Sequence, residues 1–336
     1  MADRVPLWRL PGEKIVTPTS PSRASTTRMT RYCPTLTFSL FVIIGLFGAT
    51  QASENYTPNA DGSRPLKIGL TKTLFRDVPL SLFQAATRPF NSILQAQLGV
   101  TGQVVLVENC AELTEQLTNG KLHLGVYNGH ELAWMRKVNP NLQPLVIAVS
   151  PHGKCQSVLI VRDDSPINGF ADLHDKTVAM PKGSREYSRV YLERQWSELD
   201  SKPFPEAQIK VPASSEDALD DVVDGLVDAI VIDTAALEHF KTKKPGRARR
   251  LRIVARSECF PAPVIVYQPG VLDQQFLNRA RSGLLNAHKT IQGRNMMTLW
   301  KLSNFDVVPD DYPAQLIRTC TAYPPPPALL GEPASR

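Results

Sequence analysis

Short apolar runs separated by longer stripes set the rhythm of this chain. Leu66–Leu70, Gln103–Val107, Leu122–Tyr127 and Leu145–Val149 are strand-length runs with little polar interruption, as expected of strands buried on both faces. Between the first two, Leu80, Phe83, Phe90, Ile93, Leu94 and Leu98 fall on one helical stripe, with Pro79 in its first turn, Pro89 as a kink and Gly99 as its stop. Glu112–Leu117 and His130–Val138 also read as helices. The same rhythm resumes with strands over 177–180, 209–211, 229–232 and 251–255. Helices are expected over 185–199, over 215–224 with Ser214 as N-cap, and from 234 to about 240. Val264–Tyr267 reads as a further strand, followed by helices over 272–287 and 292–302. Such alternation predicts an α/β fold, mainly parallel sheets with helices on both faces.

The pattern repeats itself. Gly120–Leu132 returns 105 residues later as Gly225–Leu237, each copy a helix-ending Gly, an apolar run, a polar stop and a new helix. Lys67–Leu74 pairs with Thr177–Ser184 at an offset of 110. Two similar lobes facing one cleft are the simplest expectation. Ligands of open α/β sheets sit beyond the carboxyl ends of strands, which here release Tyr127 and Asn128 in one copy and Asp233 and Thr234 in the other. The rhythm breaks after Ser150, and Gln156–Val161 is a strand with no helix before it. Ser257–Pro263 resembles a second break. The expected division is lobe I over 65–161 and 260–323 and lobe II over 165–256, with a linker at 53–64 and a Pro-rich tail at 324–336. Two hinge crossovers would let the lobes close on a ligand.

The first 52 residues read differently. Arg28 and Arg31 precede the apolar run Leu36–Ala49, and Thr50-Gln51-Ala52 follows it, the layout of a secretory signal cut near Ala52. The run is short for a membrane span, which needs about 20 apolar residues; Cys33 lies before it, where no lipid anchor forms, and Met29 is an alternative start. A soluble, periplasmic product is expected. Residues 1–52 hold six Lys/Arg against two Asp/Glu, so the remainder carries 32 against 30 and the net charge of +6 falls to +2. That balance removes the argument for a nucleic-acid or anionic-membrane partner. Cys110, Cys155, Cys259 and Cys320 remain. In an oxidising compartment an even count reads as two disulfides of open connectivity, with buried free thiols as the alternative.

Leu66–Leu70, Gly120–Leu132, Ser157–Ile167 and Asp172–Ala179, in that order and spacing, resemble the phosphate, phosphite and phosphonate-binding proteins of ABC importers. These are type II periplasmic binding proteins with a two-lobed fold. The resemblance covers nearly all of 65–310 and implies a non-enzymatic solute-binding protein that delivers a small oxyanion to an ABC permease. The family's anion-binding turn is Ser/Thr-rich and ends in Gly. Here it reads Pro181-Lys182-Gly183-Ser184-Arg185-Glu186-Tyr187-Ser188, which keeps one well-placed hydroxyl and adds an arginine.

The expected ligand-binding set is Thr71, Lys72, Thr73, Tyr127, Asn128, Ser184, Arg185, Tyr187, Asp233 and Thr234. A helix starting near Ser184 points unpaired N–H groups at an anion, and Arg185 adds a bidentate donor; the bland alternative is an ordinary N-cap with a solvated arginine. Thr71, Lys72 and Thr73 offer donors from the matching turn of lobe I, or form a plain polar loop. Tyr127 suits a cleft wall. Asp233 accepts a proton from a monoprotonated oxyanion, or simply caps the helix after it. No catalytic set, metal site or cofactor is indicated: His130-Glu131 lacks the second histidine of HExxH because position 134 is Trp. The basic run Lys241–Arg250 reads as a solvated loop, and a monomer is expected. The rivals are a sensor reporting to a membrane receptor, an enzyme on the same scaffold, and a binder of a carboxylate or thiamine precursor.

Overall fold

The computed structural model describes residues 65–75, 99–151, 153–200 and 203–330, together with Thr87, Asn91, Leu94 and Gln95. The expected signal segment, the linker and most of the stripe over 79–98 lie outside the described residues. Eleven strands are described: β1 (Leu66–Thr71), β2 (Gly102–Val107), β3 (Leu124–Tyr127), β4 (Gln143–Val149), β5 (Ser157–Arg162), β6 (Val178–Ala179), β7 (Ile209–Lys210), β8 (Ala229–Asp233), β9 (Leu251–Arg256), β10 (Val264–Tyr267) and β11 (Asn304–Asp306). They form a six-stranded sheet ordered β11-β4-β10-β3-β1-β2 and a five-stranded sheet ordered β7-β6-β8-β5-β9.

The duplication is written in that order. Reading outward, β2-β1-β3-β10-β4 matches β7-β6-β8-β5-β9 strand for strand. Each sheet takes its antiparallel insert, β10 or β5, from the segment where the chain has just crossed over from the other sheet. Four of six strands run one way in the first sheet and four of five in the second, so parallel order prevails, and the exceptions are the crossing strands β5 and β10 and the edge strand β11. The placement of 156–161 in lobe I is therefore corrected: β5 pairs with β8 and β9. The first crossing runs through 150–156, and no local pattern in a six-residue apolar strand reveals which sheet it joins.

The helices are α1 (Cys110–Thr118), α2 (Gly129–Val138), α3 (Glu186–Ser197), α4 (Ser215–Asp224), α5 (Thr234–Lys243), α6 (Pro245–Ala248), α7 (Gln274–Asn286), α8 (Ile291–Trp300) and α9 (Tyr312–Ala322). Ser214 caps α4, its hydroxyl accepting from the Asp217 amide at 3.1 Å. The repeated glycines Gly120 and Gly225 sit at φ of +66° and +75° after their helices, a left-handed stop that costs other residues about 1–2 kcal/mol.

Both faces of each sheet are covered. Along β10, Ile265 packs with Leu66, Leu70 and Phe276, while Val264 and Val266 face Leu113, Leu132 and Tyr312 on the other side. Along β5, Leu159 and Val161 face Tyr191 and Trp196, and Val158 and Ile160 face Leu219 and Phe240. This two-sided burial is why the strands read as unbroken apolar runs, each such side chain contributing about 1.5–3 kcal/mol.

Two further expectations change. The four cysteines are free, with Cys110, Cys155 and Cys320 buried and Cys259 exposed. Cys155 is bridged to Phe260 and buried beside it, while the adjacent Cys259 turns outward. The basic run is also no open loop. It ends α5 and forms α6, with Lys243 and Lys244 paired to Glu216, Lys244 to Asp220, and Arg247 to Asp220 and Asp224 on α4.

Candidate functional site

The carboxyl ends of β1, β3 and β8 and the start of α3 converge on a cavity of ≈ 150 Å³ between the two sheets' halves. Thr73 and Asn128 form its floor from the first half, and Ser184, Arg185, Tyr187 and Asp233 enter from the second. A neighbouring hollow of ≈ 450 Å³ shares Arg185, Asp233 and Lys301 and continues toward Ser214 and His239.

Arg185 stands just ahead of α3, and its Nη2 donates to the Lys301 carbonyl across the opening at 3.5 Å. Lys301 closes α8 in a left-handed conformation at φ +53°, which turns that carbonyl toward the cleft. Ser184 Oγ donates to the Pro181 carbonyl at 2.6 Å. Asp233 caps α5, accepting from the Ala236 amide at 2.9 Å, and still lines both hollows. The capping reading is the one these contacts show. The Tyr187 ring stacks on Phe260 at 5.2 Å, and burial pushes its hydroxyl pKa up.

Glu131, outside the expected ligand-binding set, lies directly behind the floor. It is 2 % exposed. Thr73 Oγ1 donates to its Oε1 at 2.5 Å, and the Asn128 backbone amide and Nδ2 donate to its Oε2 at 3.0 and 3.1 Å. Burial pushes its carboxyl up to about 7 despite those donors, and Glu186 acts in the same direction. Its sequence signal was the third helical position after Asn128, where Glu reaches back to the N-cap amide. Ser150, Cys155, Trp300 and Lys301 also line the cavity; they come from the hinge and α8, elements that the strand-end rule does not reach. Burial raises the Cys155 thiol to about 11, far from a thiolate nucleophile at neutral pH.

The remaining expected residues lie elsewhere. Tyr127 is corrected from cleft wall to core: it is fully buried and its hydroxyl meets Thr114 Oγ1 of α1 at 2.9 Å. Thr71 is buried behind Thr73, with 2.7 Å between their hydroxyls. Lys72 points outward to pair with Glu108. Thr234 begins α5 outside the cavity lining, its amide donating to the Gln156 carbonyl at 2.9 Å. Among the described residues no group of His, Cys, Asp and Glu could hold a metal, and no helix is long and apolar enough to cross a membrane.

Comparison with known proteins bears on this arrangement. A Xanthomonas citri protein solved with chloride bound matches with TM-score 0.55 at 17 % identity, over 77 % of this chain and 96 % of its own. Solved with ATP bound, that protein gives TM-score 0.55 and 17 % identity over 78 % and 97 %. A binding protein component of an ABC phosphonate transporter from Pseudomonas aeruginosa gives TM-score 0.50 at 18 % identity, over 77 % and 89 %. At such identities these speak for the two-lobed fold. Among curated proteins none matches the chain. The model of one family, the periplasmic substrate-binding proteins of phosphonate ABC transporters, matches residues 81–312, a span that holds both crossings and every cavity residue except Thr73 and Leu74. The chain thus belongs to the phosphonate-type periplasmic substrate-binding proteins of ABC transporters.

Proposed function

We propose that Thr73, Asn128, Ser184, Arg185, Tyr187 and Asp233 bind a small oxyanion of the phosphonate, phosphite or phosphate class. The two lobes close on it, and the protein hands it unchanged to an ABC permease. Arg185 carries this reading. Its guanidinium enters the cavity from one half and makes only a 3.5 Å contact with the other, which a ligand oxygen would replace with a charge-assisted bond of about 2.7–2.9 Å. The size agrees: ≈ 150 Å³ takes an oxyanion with a short substituent. We read the protein as an exported monomer, cleaved near Ala52, that does no chemistry on its ligand and binds no nucleic acid.

Isothermal titration of the exported chain with phosphate, phosphite and methylphosphonate tests this. At least one should bind, and Arg185→Ala should weaken it by about 2 kcal/mol, roughly thirtyfold. No heat from any of the three would sink the ligand assignment.

A further inference from the structure

Every movable proton on the first-lobe floor of the cleft points at one carboxylate. Thr73 Oγ1 donates to Glu131 Oε1 at 2.5 Å. Asn128 Nδ2 donates to Oε2 at 3.1 Å, and Thr71 Oγ1 reaches the same oxygen at 3.4 Å. A hydroxyl has one proton, so with Glu131 ionised Thr73 presents lone pairs to the cavity. Asn128 has its amide hydrogens turned to Glu131 and Thr73 and its side chain accepts from the Glu131 amide in the capping box, so it offers the cavity no free donor. A floor that presents a hydroxyl's lone pairs and no proton repels an oxyanion. Protonation of Glu131 reverses the order: the acid donates to Thr73 Oγ1, and the Thr73 proton is released toward the ligand.

We infer that Glu131 is a positioning residue that takes one proton from solvent as an oxyanion enters, converting Thr73 from acceptor to donor and so coupling ligand affinity to pH. This rests on the oxyanion reading of the cleft. The surroundings leave Glu131 free to cross between the two states near neutrality. Cys110 of α1 and Tyr127 of β3 face it as neutral groups held protonated by burial. On its own helix, burial keeps the adjacent His130 uncharged, with its pKa lowered to about 3. Glu186 of α3, facing it across the cleft, disfavours its charged form. No cation is among the groups that shift it; only the Thr73 and Asn128 donors favour the charged state, and burial outweighs them.

The test titrates methylphosphonate into the wild type and Glu131→Gln over pH 6.0–9.0, in buffers of differing ionisation enthalpy. Glutamine supplies a fixed donor and a fixed acceptor, copying the protonated acid. The methylphosphonate contribution is common to both proteins, so their difference isolates Glu131. The wild type should take up more protons on binding, and above the Glu131 midpoint its affinity should fall relative to the variant by up to about tenfold per pH unit. Should E131Q not fold, carboxyl-carbon NMR of the wild type decides: a glutamate titrating near neutrality must move up by about one pH unit on saturation, the reciprocal of a tenfold coupling. Binding with equal proton uptake and parallel pH profiles, or an unmoved glutamate, overturns this inference alone. No binding at any pH overturns the oxyanion reading and this inference together.

Discussion

Beside Glu131 stands a residue that responds to pH in the opposite sense. His130 is 1 % exposed, set edge-on between Trp134 at 4.9 Å and Phe260 at 6.0 Å, and its Nε2 has no hydrogen-bond partner among the described residues. Desolvation lowers its pKa from 6.5 to about 3. Between those values the unfolded chain binds a proton that the folded protein refuses, so stability falls as pH drops through that window, by up to about 1.4 kcal/mol per unit. Glu131, raised from 4.5 to about 7, holds a proton in the folded state that the unfolded chain has lost, so its contribution falls as pH rises through that range. Replacing His130 with phenylalanine keeps the ring contacts and removes the titration. Urea midpoints of wild type and His130→Phe should diverge progressively from pH 6.5 to pH 4.5, the variant gaining. Parallel curves would show that His130 is hydrated or paired. At this scale the sequence was readable where the signal is local, as at Asp233, which caps the helix that follows it. It misled at Tyr127, because an amphipathic ring fits a cleft wall or a core equally well, and the choice was made by Thr114, thirteen residues upstream.

Elements were more legible than their partners. The glycine stops, the Ser214 cap and the strand-length apolar runs are local signals, and β3, α4 and β8 form where those signals lie. Which sheet β5 joins, and that α9 and β11 follow α8, are decided by contacts made across the whole chain, so the sequence left them blank or wrong. One glycine shows how tightly such contacts are set. Gly129 opens α2 directly after the cavity-lining Asn128, and a Cβ there would lie 2.1 Å from the Pro261 carbonyl oxygen of the second crossing. That neighbour is backbone, so relief requires moving the helix start or the hinge. Gly129→Ala should cost about 1–3 kcal/mol in thermal unfolding and weaken ligand binding through displacement of Asn128. Gly246→Ala, where nothing lies within 4 Å, is the control and should be neutral or slightly stabilising. Equal stability of the two variants would mean that the close approach at the hinge is absent in solution.

For the whole molecule, the two crossings are not the only ties between the halves. The end of α9 places consecutive carbonyls in opposite hands: Ala322 accepts from Arg194 Nε of α3 at 3.0 Å, and Tyr323 accepts from Trp134 Nε1 of α2 at 2.7 Å. The Tyr323 ring, 3 % exposed, packs 4.6 Å from Phe260 in the second crossing and belongs to the core of the second half. Its hydroxyl donates to Glu258 Oε2 at 2.5 Å, also in that crossing. Helix α9 itself lies with the first half, through Leu316 and Tyr312. Any swing of one half against the other must therefore move or break this clasp behind the hinge. Ending the chain after Thr321 removes a buried aromatic, worth about 3–5 kcal/mol, and strands the Trp134 indole N–H at a further 1–3 kcal/mol. Ending it after Pro325 keeps both carbonyls and the ring. The longer truncation should thus lose most of its thermal stability while the shorter one unfolds nearly as the full chain does. If both unfold alike, the clasp holds nothing, and the halves are joined by the crossings alone.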